Sequence, residues 1–298
     1  MRRLRVIICL LFIVSCALFA GYTVKSKIVE DHKPPVITCD EDTITVSVKE
    51  EDMDAALLKG IKAKDNRDGD LTKSVRVASM SHFISGTKRT VSYVVFDKAN
   101  QVGTLERTVE YKDYTPPRIH MTKPMRYSMS EMENVNLEEN LTAEDCLDGD
   151  ITSQIRTNMS SGYMVTQAGT YDITLQVSNS AGDVCAVPVE ITVLDNTDRQ
   201  ESYREYPVLS EYIAYTEVGK EIKPKDYLTG IEKNGTEYSF KEDKAMLTAT
   251  KDDVKVKSNV DYSKPGVYTI EYSYKAEGAS KGVTKLFVVV EGEEDGEE

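Results

Sequence analysis

Charge vanishes over one stretch of the chain and returns in alternation over most of the rest. From Val6 to Val24 there is no charged residue, a run of 19 positions, which as a helix spans about 28 Å, enough to cross a bilayer. Arg2, Arg3 and Arg5 precede it. Positive flanks stay in the cytoplasm, so the pattern predicts a cytoplasmic basic stub over 1–5, a transmembrane signal anchor over 6–24 and an extracellular body after Lys25. Two other fates end outside the cell as well. Ile13-Val14-Ser15-Cys16 resembles a lipobox that would place a lipid on Cys16, although Ala17-Leu18-Phe19-Ala20 continues the apolar run where a lipoprotein turns polar. Cleavage after Ala20 would release a secreted product, but the apolar run exceeds the usual length of a cleaved signal core. A retained anchor is therefore preferred, in the cell membrane as a single-pass protein.

Beyond Lys33 the period changes to two. Tyr171, Ile173, Leu175 and Val177 point one way, and Asp172, Thr174, Gln176 and Ser178 the other, as in a sheet with one buried face. Tyr268, Ile270, Tyr272 and Tyr274 alternate in the same way with Thr269, Glu271, Ser273 and Lys275, and Leu286 to Val290 reads as a closing strand. The strand pattern is repeated along the chain. Asp65-Asn66-Arg67-Asp68-Gly69-Asp70-Leu71-Thr72 recurs 80 residues later as Asp145-Cys146-Leu147-Asp148-Gly149-Asp150-Ile151-Thr152. Phe96-Asp97-Lys98-Ala99 and Ser178-Asn179-Ser180-Ala181 keep the register at a displacement of 82. A repeat of about 80 residues is longer than most solenoid units and fits a single sandwich.

Prolines mark the openings of two repeats, at Lys33-Pro34-Pro35-Val36 and Thr115-Pro116-Pro117-Arg118. The expected domains are 33–113, 114–196 and a divergent third at 207–291 that lacks the Asp-Gly-Asp element, followed by an acidic disordered tail at 292–298. The Pro-Pro junction reads as short and semi-rigid. The longer, charged junction from Asn196 to Tyr206 reads as a looser hinge.

Composition narrows the function more than the fold. A net charge of −13 argues against nucleic acid, which needs a basic face. Cys39, Cys146 and Cys185 lie beyond the apolar run with no Cys-x-x-Cys spacing, so zinc is not indicated; Cys146 and Cys185 fall in one domain, and spacing alone leaves their pairing open.

The combination Ala-x-Asp-x-x-Asp-Gly-Asp-[Leu/Ile]-Thr, then Gly-Thr-Tyr opening an alternating strand, then an Asp-x-x-Pro-Pro linker resembles bacterial immunoglobulin-like domains. It looks most like the immunoglobulin-like family named after an insecticidal crystal protein. The resemblance covers Lys33 to Asp195 and is weaker beyond. It implies an all-β fold of tandem immunoglobulin-like antiparallel β-sandwiches, which the apolar run precedes with one N-terminal transmembrane helix, and it implies no toxin activity. The first repeat departs from it with Gly86-Thr87-Lys88-Arg89 in place of Gly-x-Tyr. Tyr171 and Tyr268, each opening a strand after a glycine, are expected in the core.

Candidate chemistry is sparse. Asp65, Asp68, Asp70 and their counterparts Asp145, Asp148, Asp150 offer oxygens that calcium favours, yet the loops lack the full calcium-loop pattern, and Asp-Gly is an ordinary turn former. A turn and cap role is preferred, with no metal or cofactor. Gly278-Ala279-Ser280-Lys281-Gly282 spells a nucleophile-elbow string, but it sits between two strand patterns, and His32, His82 and His120 all precede it without a ligand spacing. No catalytic residue is expected. The reading is a membrane-anchored cell-surface adhesion, spacer or protein-interaction module, with a surface protein or glycan as partner. The alternatives are a carbohydrate or cell-wall binding protein and the ectodomain scaffold of a membrane complex.

Overall fold

The structure is a computed structural model that describes residues 2–29, 33–132, 134–159, 165, 167–195, 197, 201–243, 245–247 and 249–292. It opens with helix α1 (Arg2–Val29). Within it Leu4–Lys25 is long and apolar enough to cross a membrane, a property that a signal sequence shares. Among the described residues nothing covers its Phe12, Leu18 and Phe19, all largely exposed.

The remaining elements are strands with a few short helical turns, and among the described residues they fall into three sets of seven. The first comprises β1 (Val36–Cys39), β2 (Thr43–Val46), β3 (Ile61–Asp65), β4 (Gly69–Asp70), β5 (Arg76–Ser85), β6 (Lys88–Phe96) and β7 (Val102–Tyr111), with a short helix α2 (Met53–Leu57) before β3. In the second are β8 (Arg118–Met121), β9 (Arg126–Ser128), β10 (Leu141–Asp145), β11 (Gly149–Asp150), β12 (Arg156–Met159), β13 (Gly169–Ser178) and β14 (Val184–Leu194). The third, which opens at Glu205, has β15 (Glu205–Leu209), β16 (Ile213–Glu217), β17 (Leu228–Lys233), β18 (Thr236–Ser239), β19 (Lys255–Ser258), β20 (Gly266–Tyr274) and β21 (Gly282–Glu291).

Every set has the same topology: a three-stranded sheet of orders β1-β3-β4, β8-β10-β11 and β15-β17-β18, and a four-stranded sheet of orders β2-β7-β6-β5, β9-β14-β13-β12 and β16-β21-β20-β19. In each the chain changes sheets early. β1, β8 and β15 pair antiparallel with the next long strand, whereas β2, β9 and β16 run parallel to the last one. The third set keeps this plan without the Asp-Gly-Asp element, joining β17 to β18 through Asn234-Gly235, both at positive φ, a pair that suits a tight hairpin.

By compactness the chain divides into residues 1–114 and 115–298. In the first unit Ile37, Ile61 and Ala63 of one sheet and Val91, Tyr93, Val95 and Val109 of the other are buried. Tyr93 spans the interior and donates its hydroxyl to Leu57 O at 2.7 Å, tying α2 to β6. Asp52 caps that helix by accepting from Ala55 N at 3.0 Å.

The second unit holds two sets on one continuous core, from Ile119, Leu141 and Leu175 through Tyr212 and Ile213 to Ile270 and Val288. This replaces the expected hinge between them, of which 196 and 198–200 lie outside the described residues. Tyr215 accepts from Ile119 N at 2.7 Å and donates to Ile119 O at 3.0 Å, and Tyr212 N donates to Met121 O at 3.0 Å. Around this seam Arg118 makes a two-pronged contact with Glu291 at 3.0 and 2.6 Å. Lys285 meets Glu190 at 2.6 Å, and Arg126 pairs with Glu232 while its guanidinium lies 3.6 Å from the Tyr206 ring centre. Burial pushes the Tyr215 hydroxyl well above the usual tyrosine range, and the Glu291 hydrogen bonds hold Arg118 more firmly protonated. A junction with this many shared partners is fixed, whatever the charge of the linker.

Candidate functional site

The Asp-Gly-Asp turns are built alike in the first two sets. Asp65 Oδ1 accepts from the N–H groups of Arg67 and Asp68, each at 2.7 Å; Asp145 Oδ1 accepts from Leu147 at 2.8 Å and Asp148 at 3.0 Å. Gly69 and Gly149 follow at φ +80° and +72°, where a side chain would be strained. Asp70 and Asp150 each accept from the N–H of the threonine two residues on at 2.9 Å. Those hydroxyls, of Thr72 and Thr152, accept in turn from Ala63 N at 3.1 Å and Ala143 N at 3.0 Å. The middle carboxylate reaches a second turn: Asp68 accepts from Lys98 N at 2.7 Å, and Asp148 from Ser180 N at 2.5 Å and its hydroxyl at 2.7 Å.

Backbone N–H groups of Asp68 and Arg67 hold the Asp65 carboxyl below the usual carboxylate range, that of Lys98 does so for Asp68, and Thr72 and Thr152 do so for Asp70 and Asp150. These are the contacts of a turn and cap. Among the described residues no group of three or more His, Cys, Asp or Glu side chains is disposed to hold a metal ion.

One difference separates the two turns. In the second set Asn179 Nδ2 donates to Asp145 Oδ2 at 3.0 Å, a buried contact that locks the turn to the β13–β14 connection. The corresponding residue of the first set, 82 positions earlier, is Asp97, also buried. A carboxylate cannot donate, and Asp65 Oδ2 is left buried without a partner, on a residue only 3 % exposed. Asp97 instead accepts from Gln101 N at 2.7 Å and Gln101 Nε2 at 3.3 Å.

The other sequence candidates are scattered. Tyr171 and Tyr268 are half-buried where the core was expected, with rings against the apolar cluster and hydroxyls donated to Gln167 O at 2.7 Å and Lys264 O at 3.2 Å. They lie at the first turn of each strand, where alternation sets the face but the sheet ends too soon to bury it. The Tyr171 position in the first set is Arg89, buried, with Nε donating to Ser81 O at 2.6 Å. Gly278 to Gly282 forms the β20–β21 turn. His120 lies 3.4 Å from Glu144, His82 is on β5, and His32 is outside the described residues. Cys39, Cys146 and Cys185 are unpaired; Cys146 donates to Thr115 O at 3.1 Å, and Cys185 packs 3.6 Å from the Tyr215 hydroxyl. Not foreseen from the sequence was a cavity of about 240 Å³ at the seam of the second unit, lined by Arg126, Glu190, Arg204, Tyr206, Tyr212 and Lys285. It is smaller than the usual ligand pocket, and its Arg126, Arg204 and Lys285 are already paired with Glu232, Glu201 and Glu190.

No family model matches the chain. It is 25% identical over 237 residues to a pesticidal crystal protein, Cry22Aa of Bacillus thuringiensis, a match that takes in 78% of this chain and 30% of that protein. Among solved structures, the CBM51-2 and INT domains of Clostridium perfringens ZmpB in complex with GlcNAc are 18% identical, over 51% of this chain and 26% of that one, with a TM-score of 0.21. Drosophila N-cadherin EC1-4 is 12% identical over 88% and 76% of the two chains (TM-score 0.21), and mouse cadherin-23 EC22-24 is 14% identical over 87% and 99% (TM-score 0.20). Scores this low carry no argument about arrangement or ligand. The chain is thus a mostly β protein with one apolar N-terminal helix, weakly similar to a segment under a third as long as the crystal protein it matches.

Proposed function

We propose that this protein is a non-catalytic surface module: α1 anchors it in the cell membrane with Arg2, Arg3 and Arg5 in the cytoplasm, and three immunoglobulin-like β-sandwiches outside serve adhesion, spacing or protein interaction. The observation that carries this reading is the uncovered apolar surface of α1, whose Phe12, Leu18 and Phe19 are 69%, 70% and 69% exposed, directly ahead of β-sets whose polar clusters are spent on turns and seams. Water penalises such a helix, and a bilayer does not. The full-length protein is expected to float with membranes and to resist extraction by high salt and by alkaline carbonate. Release by salt alone refutes the anchor. Replacing Cys16 by Ser separates the anchor, which keeps its attachment, from a lipid on that cysteine, which loses it.

A glycan-binding role would need exposed aromatic platforms. Tyr93, Tyr206, Tyr212 and Tyr272 are buried, and Tyr171 and Tyr268 tie their hydroxyls to their own loops; among the described residues beyond α1 the largely exposed rings are Phe96 and Tyr203, single rings in separate units, which favours protein interaction over sugar binding. Pull-down on purified cell wall and on a glycan panel tests the choice, and specific retention would reverse it.

A further inference from the structure

We infer that Asp65 and Asp97 form a proton-binding site: in mildly acid surroundings one proton, shared between the two carboxylates, latches the Asp-Gly-Asp turn of the first set to the β6–β7 connection. The latch does not depend on whether α1 spans a membrane. Its basis is a turn and a connection that the first two sets build alike, with one atom exchanged. Asp97 N donates to Gln101 O at 3.1 Å, as Asn179 N does to Asp183 O at 3.1 Å, and Asn100 N reaches Asp97 O at 3.2 Å, as Gly182 N reaches Asn179 O at 3.1 Å. Asn100 and Gly182 both stand at positive φ. Asp97 Oδ1 accepts from Gln101 N at 2.7 Å, and Asn179 Oδ1 from Asp183 N at 3.0 Å. Lys98 N and Ser180 N, next in the chain, bind the middle carboxylates of the two turns, Asp68 and Asp148.

With the backbone and Oδ1 fixed in this way, Asp97 Oδ2 takes the place of Asn179 Nδ2, the atom that donates to Asp145 Oδ2 at 3.0 Å. It therefore faces Asp65 Oδ2, which is buried without a partner. Residues only 3% and 6% exposed thus set two carboxylate oxygens against each other. Like charges brought together in a buried site raise the affinity of the pair for one proton, and the shared O–H restores the bond that the amide makes in the second set. Backbone N–H groups of Asp68 and Arg67 favour the ionised form of Asp65, so Asp65 accepts and Asp97 carries the proton. A metal ion fits less well. Oδ1 of each carboxylate is filled by N–H groups, and Gln101 Nε2 donates to Asp97 Oδ2 at 3.3 Å, which leaves two oxygens facing the gap where calcium takes roughly six to eight.

The other charged groups lie at the rim of this site. Arg67 and Asp68 belong to the turn, Asp70 follows it bound to Thr72 N at 2.9 Å, and Lys64 precedes it on β3; Arg67 and Lys64 are exposed. From the β6–β7 connection Lys98, its side chain 87% exposed, contacts Asp68 at 3.1 Å. Lys33, ahead of β1, meets Gln101 Nε2 through its carbonyl, and β7 opens with the uncharged Val102 and Gly103. A proton bound in the folded chain and released on unfolding stabilises the fold at low pH, and the contribution is lost as pH rises through the folded value. That sign is opposite to that of Asp68 and Asp70, whose carboxyls are held below their usual range. The first unit is therefore expected to tighten on mild acidification, before those carboxylates take up protons.

Calorimetry of the full chain tests the latch between about pH 8 and 5, where ordinary carboxylates stay ionised. Asp97→Asn, which donates at every pH, is expected to melt about 4–8 °C above the parent in the first transition at the alkaline end. That lead is expected to fall by at least half at the acid end, as the parent takes up its proton. His82, on β5 of the same unit, is common to both proteins and cancels in the difference. Asn179→Asp sets the same pair against Asp145, so the second transition of this variant is expected to acquire the acid dependence that the first loses in Asp97→Asn. A lead of Asp97→Asn that stays constant across the range, whatever its size, overturns the shared proton. So does a first transition that calcium raises and a chelator lowers in the parent but not in Asp97→Asn, because the pair then holds a metal ion instead.

Discussion

Strand β6 of the first set and strand β13 of the second occupy the same place in the same topology, and they have been put to different ends. Val91 and Val95 match Ile173 and Val177, all buried. Between them Tyr93 stands where the second set has Leu175, and toward the ends Arg89, Phe96 and Asp97 stand for Tyr171, Ser178 and Asn179. The apolar alternation is thus common to both copies, while the polar atoms at the ends decide what each copy is tied to. In β13 they close the domain on itself, through Asn179 to Asp145 and Tyr171 to Gln167. In β6 they leave an unpaired oxygen on Asp65 and an apolar ring in water.

The interior of the strand gives the largest effect. Tyr93→Ala removes a buried ring and leaves Leu57 O without its donor, so the first unit is expected to lose about 3–5 kcal/mol and the second unit to melt unchanged. Tyr93→Phe keeps the ring and is expected to cost only about 1 kcal/mol. Calorimetry of the full chain resolves the two. If Tyr93→Ala shifts both transitions equally, the two units are not independent.

At the strand openings the effect should be smaller than for a core residue, because Tyr171 and Tyr268 are only half-buried. Tyr171→Ala and Tyr268→Ala are each expected to destabilise the second unit by about 1–3 kcal/mol, read as a lower denaturant midpoint at unchanged slope. A loss as large as that of Tyr93→Ala would put both rings in the core after all.

The strand ends can be exchanged. Asp97→Asn supplies the donor that Asp65 Oδ2 lacks and is expected to raise the melting temperature of the first unit, while Asn179→Asp takes the donor from Asp145 and is expected to lower that of the second. If one net hydrogen bond is gained or lost, the change should be on the order of 4–8 °C in the first unit and about 2–4 °C in the larger second unit. If Asp97→Asn leaves the first unit unchanged or weakens it, Asp65 Oδ2 is satisfied in solution by another route.

How far these differences could be read in advance follows from their range. The 80-residue repeat aligned Asp97 with Asn179, so the substitution was visible; its consequence was not, because nothing in sequence places residue 179 at 3.0 Å from Asp145. Alternation located β13 and β20 and the closing strand β21. It could not show that β2, β9 and β16 run parallel to their last strands, since three to five residues carry little pattern and their partner lies 65 or more residues away. The charged junction at 196–206 invited a hinge, whereas the seam is set by Tyr212, Tyr215, Arg118 and Lys285, each reading as an ordinary strand residue. Cavity residues such as Arg126 and Arg204 carried no signal either, since they meet only when two sets share one core.

Acid should produce the smallest difference between variants, and its sign follows from the turns. The Asp65, Asp68 and Asp70 carboxyls of the first turn and Asp150 of the second lie below their ordinary range because N–H and hydroxyl donors favour the ionised form. A group whose folded pKa is depressed binds its proton more readily in the unfolded chain. Its stabilising contribution is therefore complete above the unfolded value, about 3.9 for aspartate, and is lost as pH falls through the folded value. These groups predict no loss of stability between pH 7 and 5 and a progressive loss below about pH 4. Replacing Asp70 by Asn keeps an oxygen to accept from Thr72 N but removes the titrating proton, so this variant should be slightly less stable than the parent at pH 7 and should lose less on acidification. The measurement is the urea midpoint of the first transition at pH 7, 5, 4 and 3. Parallel profiles for parent and variant would mean that Asp70 has the same affinity for protons folded and unfolded, and that its contacts with Thr72 order the turn without drawing stability from its charge.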